Sequence, residues 1–149
     1  MYPFVNKDLL LTGAMLHDIA KTTEYDVGAS GIASGYTVEG NLIGHLVKGA
    51  MLVDEAATEL SISREKAMLV EHMLISHHGE PEYGAAVRPM FLEAELLSEL
   101  DLMDARVYQI AHAIENVEEN GFSSRLWALG DRRIYKHETK QDSTKVNLE

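Results

Sequence analysis

His17 and Asp18 stand side by side in the middle of an apolar run, LLLTGAMLHDIA. A carboxylate buried there without a partner is costly. Either a cation or a set of hydrogen-bond donors must hold Asp18. The chain also carries His45, the doublet His77–His78 and Asp104, each on or beside an apolar helical stripe. Imidazoles and carboxylates explain one another if they share a divalent cation, which offsets the cost of burying Asp18 and Asp104. The 149 residues include seven histidines and no cysteine, so such a site is built from nitrogen and oxygen alone. That donor set suits Mn, Fe, Co, Ni or Zn. Lys21 lies four residues after His17, on the same helix face, where an ammonium beside a metal can hold a phosphate oxygen.

Each residue taken alone has an ordinary explanation. A buried Asp is often paired with Arg or capped by hydroxyls. Two histidines at a helix end can simply interact with its dipole. A lone His45 is commonly a hydrogen-bonded, half-buried side chain. The metal reading gains weight because several helices each present such a residue, and helical bundles build metal sites from facing helices.

Four helices must position these groups. The first spans about 7–21. The loop TTEYDVGASGIASGYT follows, rich in turn residues. The second spans about 38–60, with Leu42, Leu46, Ala50, Ala57 and Leu60 as its stripe. Ser61 or Ser63 caps a third, which runs to about His78 and stops at Gly79. GEPEYGAAVRP is a loop, and Pro89 opens a fourth helix that ends at Asn120–Gly121. On that helix Leu97, Leu100, Asp104, Val107, Ala111 and Ile114 form one stripe, with Asp104 buried and Asp101 toward solvent. FSSRLWALGDRRIYKHE is expected to hold a short helix and a short extended piece, RIY. Residues 136–149 read as a polar, disordered tail. No useful alternating strand pattern is present, so the expected fold is all-α.

Composition sets further bounds. The formal net charge of −11 argues against a broad basic surface for a nucleic-acid backbone. It leaves room for a small anionic substrate, because a bound metal reverses the local field. No apolar stretch is long enough to cross a membrane, and the N-terminus shows no secretory pattern. A cytoplasmic location is the default expectation.

The ordered set His17-Asp18, His45, His77-His78 and Asp104 resembles the HD-domain superfamily of metal-dependent phosphohydrolases. LLLTGAMLHDIAKTTEY, YTVEGNLIGHLV, EHMLISHHGEPEYGAAVRPMFLEAELL and DLMDAR look like the HD domain of the YhaM-type 3′→5′ exoribonucleases. The resemblance implies an HD-type helical bundle over residues 1–135. It makes His17, Asp18, His45, His77, His78 and Asp104 metal ligands for one or two ions, Mn foremost, with Asp18 bridging. Asp104 would complete the shell of the first ion, and His45, His77 and His78 would bind the second. Two such ions activate a water for in-line displacement at phosphorus. Asp18 and Lys21 become the catalytic pair, with Lys21 on the scissile phosphate. Glu39, Glu82, Tyr83 and Arg88 would line the substrate end. The implied substrate is RNA or a nucleotide phosphodiester.

Two departures qualify that reading. Residues 1–16 contain no histidine, whereas the superfamily supplies one from a helix upstream of the doublet. The N-terminal OB-fold domain of the exoribonucleases is also missing. The sequence therefore reads as an HD bundle truncated at its N-terminus, with uncovered apolar surface that favours homo-oligomers. The alternatives are a nucleotide or cyclic-dinucleotide phosphohydrolase, or an inactive module with a structural or oligomerisation role. The loop GEPEYGAAVRP lacks the Gly-Tyr-Pro signature of the cyclic-dinucleotide branch. His72 reads as structural, and His112 and His137 match no functional motif.

Overall fold

A computed structural model of the chain describes residues 2–138. The polar tail expected over 136–149 falls, from residue 139 onward, outside the described residues. The described chain divides into two units, residues 2–102 and 103–138.

The first unit is helical. Helix α1 (Lys7–Leu16) starts where Asn6 accepts the N–H of Leu9 at 3.1 Å. It ends five residues earlier than the sequence suggests. The His17 side chain donates to the carbonyl of Ala14 at 2.9 Å, the acceptor that Asp18 N–H would need to continue the helix. The chain tightens into turns, with Ile19 N bonded to Leu16 O and Lys21 N to Asp18 O. The one-turn helix α2 (Lys21–Glu24) follows. The His17-Asp18 doublet thus sits in a turn at a helix end, not within a helix.

The Gly/Ser-rich loop contains a small antiparallel hairpin, β1 (Tyr25–Val27) and β2 (Ala33–Tyr36). Its strands bury almost nothing, so they carry no alternating pattern that sequence periodicity could detect. The expected second helix is two helices, α3 (Val38–Leu42) and α4 (Gly44–Glu59). Thr37 caps α3 by accepting Gly40 N–H at 2.9 Å. The break falls at Gly44, whose φ of +73° suits glycine. The break also resets the helical phase. The buried face of α4 is His45, Gly49 and Ala57, with half-buried Val53 in line between them, while Leu42 is 80% exposed and Leu60 71%.

Helix α5 (Arg64–Ser76) lies against α4 and α1, and Gly79 follows its end. Its termination repeats that of α1. His77 Nδ1–H donates to Leu74 O at 2.8 Å, the carbonyl that His78 N–H would otherwise use. A 3₁₀ turn at Pro81–Tyr83 interrupts the next loop. Helix α6 (Leu92–Ile114) begins three residues after Pro89 and is shorter than expected at both ends. Within the first unit it buries Glu93, Ala94, Leu97 and Ser98. The core is Met73, Leu74, Ala94 and Leu97, surrounded by Leu9, Leu10, Leu16, Val53, Val70 and Phe91. An open apolar groove of about 790 Å³ runs along α1, α4 and α5, past Leu9, Leu16, Val53, Ala57 and Val70.

The second unit holds the rest of α6 and a short antiparallel pair, β3 (Gly121–Phe122) and β4 (Tyr135–Lys136). A 3₁₀ turn at Trp127–Leu129 lies between them. The 3₁₀ turn falls where a short helix is expected, while the extended piece starts at the last residue of RIY and takes in Lys136, which pairs with Gly121 and so is not part of a disordered tail. Among the described residues no helix is long and apolar enough to cross a membrane.

Candidate metal centre

Five side chains from three places in the first unit converge. His17 and Asp18 come from the turn after α1, His45 from the start of α4, and His77 and His78 from the end of α5. Asp18 Oδ1 lies 3.6 Å from His45 Nε2 and 3.7 Å from His77 Nε2. Asp18 Oδ2 lies 3.4 Å from His17 Nε2 and 2.7 Å from Lys21 Nζ. The His77 and His78 rings are 4.4 Å apart between centroids, and those of His17 and His77 are 5.0 Å apart. Ligand atoms of His45, His77 and His78 fall within 4.8 Å of one another, and so do those of His17, Asp18 and His77.

The imidazole tautomers are fixed by what each Nδ1 meets. Carbonyl oxygens only accept, so Nδ1 carries the proton in His17 (to Ala14 O), His77 (to Leu74 O) and His78 (to Tyr83 O at 3.0 Å). His45 Nδ1 lies 2.9–3.0 Å from the two oxygens of Glu24. With every Nδ1 so engaged, Nε2 is the nitrogen each ring leaves for a metal, the arrangement found when a metal-binding histidine donates its other nitrogen.

Three buried atoms in this cluster lack a hydrogen-bond partner: Asp18 Oδ1, His45 Nε2 and His77 Nε2. Each such orphan costs about 1–3 kcal/mol, a serious drain on a total stability of roughly 5–15 kcal/mol. Three acceptors facing one another cannot satisfy each other. Their separations match those of two ligand atoms each about 2.0–2.2 Å from a shared cation. The donor set and its orphaned atoms fit a divalent metal.

Electrostatics agree. Burial raises the Asp18 carboxyl, but hydrogen bonds from His17 and Lys21 and their charges outweigh it and hold the group far below the usual range. Burial pushes His77, 1% exposed, down to about 4. Burial, then the neighbouring His45, lowers His78. Asp18 is thus an anion and the two imidazoles are neutral near pH 7, the states that bind metal.

The aspartates of α6 need a correction. The stripe reading buries Asp104 and turns Asp101 to solvent, and the structure shows the reverse. Asp101 follows Leu97 by four residues and Ser98 by three, so it continues the buried seam. It is half-buried, with Oδ1 3.8 Å from His17 Nε2. Asp104 is exposed and lies in the second unit.

Of the proposed substrate residues, Tyr83 and Arg88 line one cavity with His78, and Glu39 and Glu82 lie outside it. Glu39 pairs with Lys48 at 2.8 Å. Glu82 is exposed. Arg88 is held by Glu80, and Tyr83 contributes its carbonyl to His78 while its ring is exposed. His72 Nε2 accepts Met90 N–H at 3.0 Å, a structural role. Glu24, Asp101 and Glu80 carry no local sequence signal beyond the helical spacing of Asp101.

Residues 1–106 match the family model of the HD domain. The chain belongs to the HD-domain family, whose members are metal-dependent phosphohydrolases. Among curated proteins it is 38% identical to the 3′-5′ exoribonuclease YhaM of Bacillus licheniformis and to that of Bacillus subtilis, each over 91% of the chain. Identity to the 3′-5′ exoribonuclease YhaM of Oceanobacillus iheyensis is 40% over the same share. The chain spans about 42% of the length of these relatives. No solved structure gives a significant match.

Proposed function

We propose that this chain is the hydrolytic module of a metal-dependent phosphodiesterase that trims RNA from its 3′ end. The observation that carries the proposal is the orphaned trio of Asp18 Oδ1, His45 Nε2 and His77 Nε2, set among four imidazoles of fixed tautomer. In this reading His45, His77, His78 and Asp18 hold one divalent ion, Mn foremost. His17, Asp18 and Asp101 line an adjoining position. When bound, such ions polarise a phosphoryl oxygen and lower the pKa of water.

The side chains around that centre have their own tasks. Lys21 Nζ, 2.7 Å from Asp18 Oδ2, fixes the carboxylate and presents its remaining N–H groups to a phosphate oxygen. Glu24 and the carbonyls of Ala14, Leu74 and Tyr83 keep the imidazoles aimed. In the reaction water adds to phosphorus and the bond to the penultimate 3′ oxygen breaks. That oxygen takes a proton, and a nucleoside 5′-monophosphate departs. The names of the relatives favour RNA as substrate.

The test is metal content and hydrolysis by the purified chain after incubation with Mn. We expect retained metal, cleavage of bis-p-nitrophenyl phosphate and release of mononucleotides from a single-stranded oligoribonucleotide, all lost in His77→Ala. Turnover of nucleoside triphosphate or cyclic dinucleotide in place of RNA would move the substrate class. Failure to retain metal would overturn the proposal.

A further inference from the structure

We infer that the cavity behind His78 is a subsite for a terminal nucleoside bearing a free 2′,3′-diol. The inference rests on the phosphodiesterase reading and adds what the enzyme recognises at the end of its substrate. The cavity is about 250 Å³, lined among others by His78, Tyr83, Arg88, Glu95, Ser98 and Glu99. It is smaller than the ~300–1,000 Å³ of pockets that take drug-sized ligands, so it suits one nucleoside-sized group. One wall is the ring of His78, whose Nε2 belongs to the candidate metal cluster. A group seated here is therefore directly next to the phosphate being cleaved.

The polar lining selects the group. Glu95 and Glu99 are one turn apart on α6, with Ser98 between them. Ionised carboxylates only accept hydrogen bonds. Ser98 is 8% exposed, lines the cavity, and its hydroxyl enters no hydrogen bond among the described residues. Arg88, the one cation of the lining, is taken by Glu80, through Nε at 2.7 Å and Nη2 at 2.6 Å. The cavity is thus anionic, rich in acceptors and holds one buried, unused hydroxyl. It repels a phosphate and suits a neutral group with two adjacent O–H donors, which is what the ribose at an unphosphorylated RNA end offers. The Tyr83 ring, 66% exposed at the rim, is a surface on which a base can stack. Ends that carry a 3′-phosphate, or lack the hydroxyls, are rejected.

Amide NMR on the metal-stripped full chain tests this without asking for hydrolysis, so an inactive metal centre does not obscure the result. The chain is titrated with adenosine, with adenosine 3′-monophosphate and with 2′,3′-dideoxyadenosine. We expect adenosine to shift the amides of Gly79, Tyr83, Ser98 and Glu99, and the other two to bind at least ~10-fold more weakly, as unpaired polar groups demand. In Glu99→Gln, whose dispersed spectrum verifies folding, adenosine binds more weakly and the gap to the 3′-phosphate narrows. Equal binding of all three compounds overturns the inference. So does the absence of shifts at these amides, or the same shifts on adding Mg²⁺ alone, which would make the cavity a cation site.

Discussion

Glu24 holds His45 at two points. Its Oε1 accepts the backbone N–H of His45 at 3.0 Å, and its carboxylate lies 2.9–3.0 Å from the ring Nδ1. One buried side chain from α2 therefore fixes both the start of α4 and the direction of an imidazole. Glu24→Gln keeps the shape and removes the charge. Outer partners of metal-binding histidines are worth about 10–100-fold in affinity, and a loss in that range is expected by competition titration with a metal-sensitive dye. Unchanged affinity would show that His45 does not bind metal.

Gly40 reaches the same feature from another side. A Cβ there would overlap the backbone carbonyl of Glu24, which cannot swing aside as a side-chain tip can. Gly40→Ala should lower stability by about 1–3 kcal/mol and weaken metal binding together. A urea denaturation curve paired with the dye titration checks both. A change in stability with intact metal affinity would separate the two elements.

The two aspartates of α6 make a direct comparison. Asp101→Asn should reduce the metal retained per chain, because Asp101 faces His17. Asp104→Asn should leave it unchanged, since Asp104 is exposed. Elemental analysis of both variants beside the parent decides. The opposite pattern would restore Asp104 as the ligand.

Acid should weaken the metal-free protein in a definite window. The ordinary histidine pKa is about 6.5, and burial lowers His77 to about 4 in the folded state. Between these values the unfolded chain binds more protons, so this contribution is full above about 6.5 and lost as pH falls toward 4. His78, lowered by burial and then by His45, acts in the same direction. His17 is raised, chiefly by its hydrogen bond with Asp18, so its contribution is present below about 6.5 and fades as pH rises through its folded pKa. Urea midpoints of metal-stripped protein measured down this range should fall, and fall less in His77→Gln. A flat profile would mean that the imidazole is not held neutral.

The outline of the bundle and the identities of the converging histidines were legible because apolar spacing and residue type are local properties. The helix ends were not. His17 and His77 stop α1 and α5 by taking main-chain carbonyls with their own rings, and nothing in composition or periodicity reports where a ring will turn. The phase of α4 was misread for a related reason. Gly44 breaks the helix, and a stripe counted through the break joins two faces that are not continuous. Asp101 and Asp104 have nearly equivalent places in the helical repeat, so choosing between them needs the position of His17.

Three of the four inward-facing imidazoles take their orientation from main-chain carbonyls, those of Ala14, Leu74 and Tyr83. A carbonyl is the same whichever side chain its residue carries. Point changes at those three positions can alter bulk and polarity but cannot delete the anchor. The fourth ring depends on a side chain, and a single codon change at Glu24 removes it. Sequence drift around this centre is therefore buffered at three corners and exposed at one.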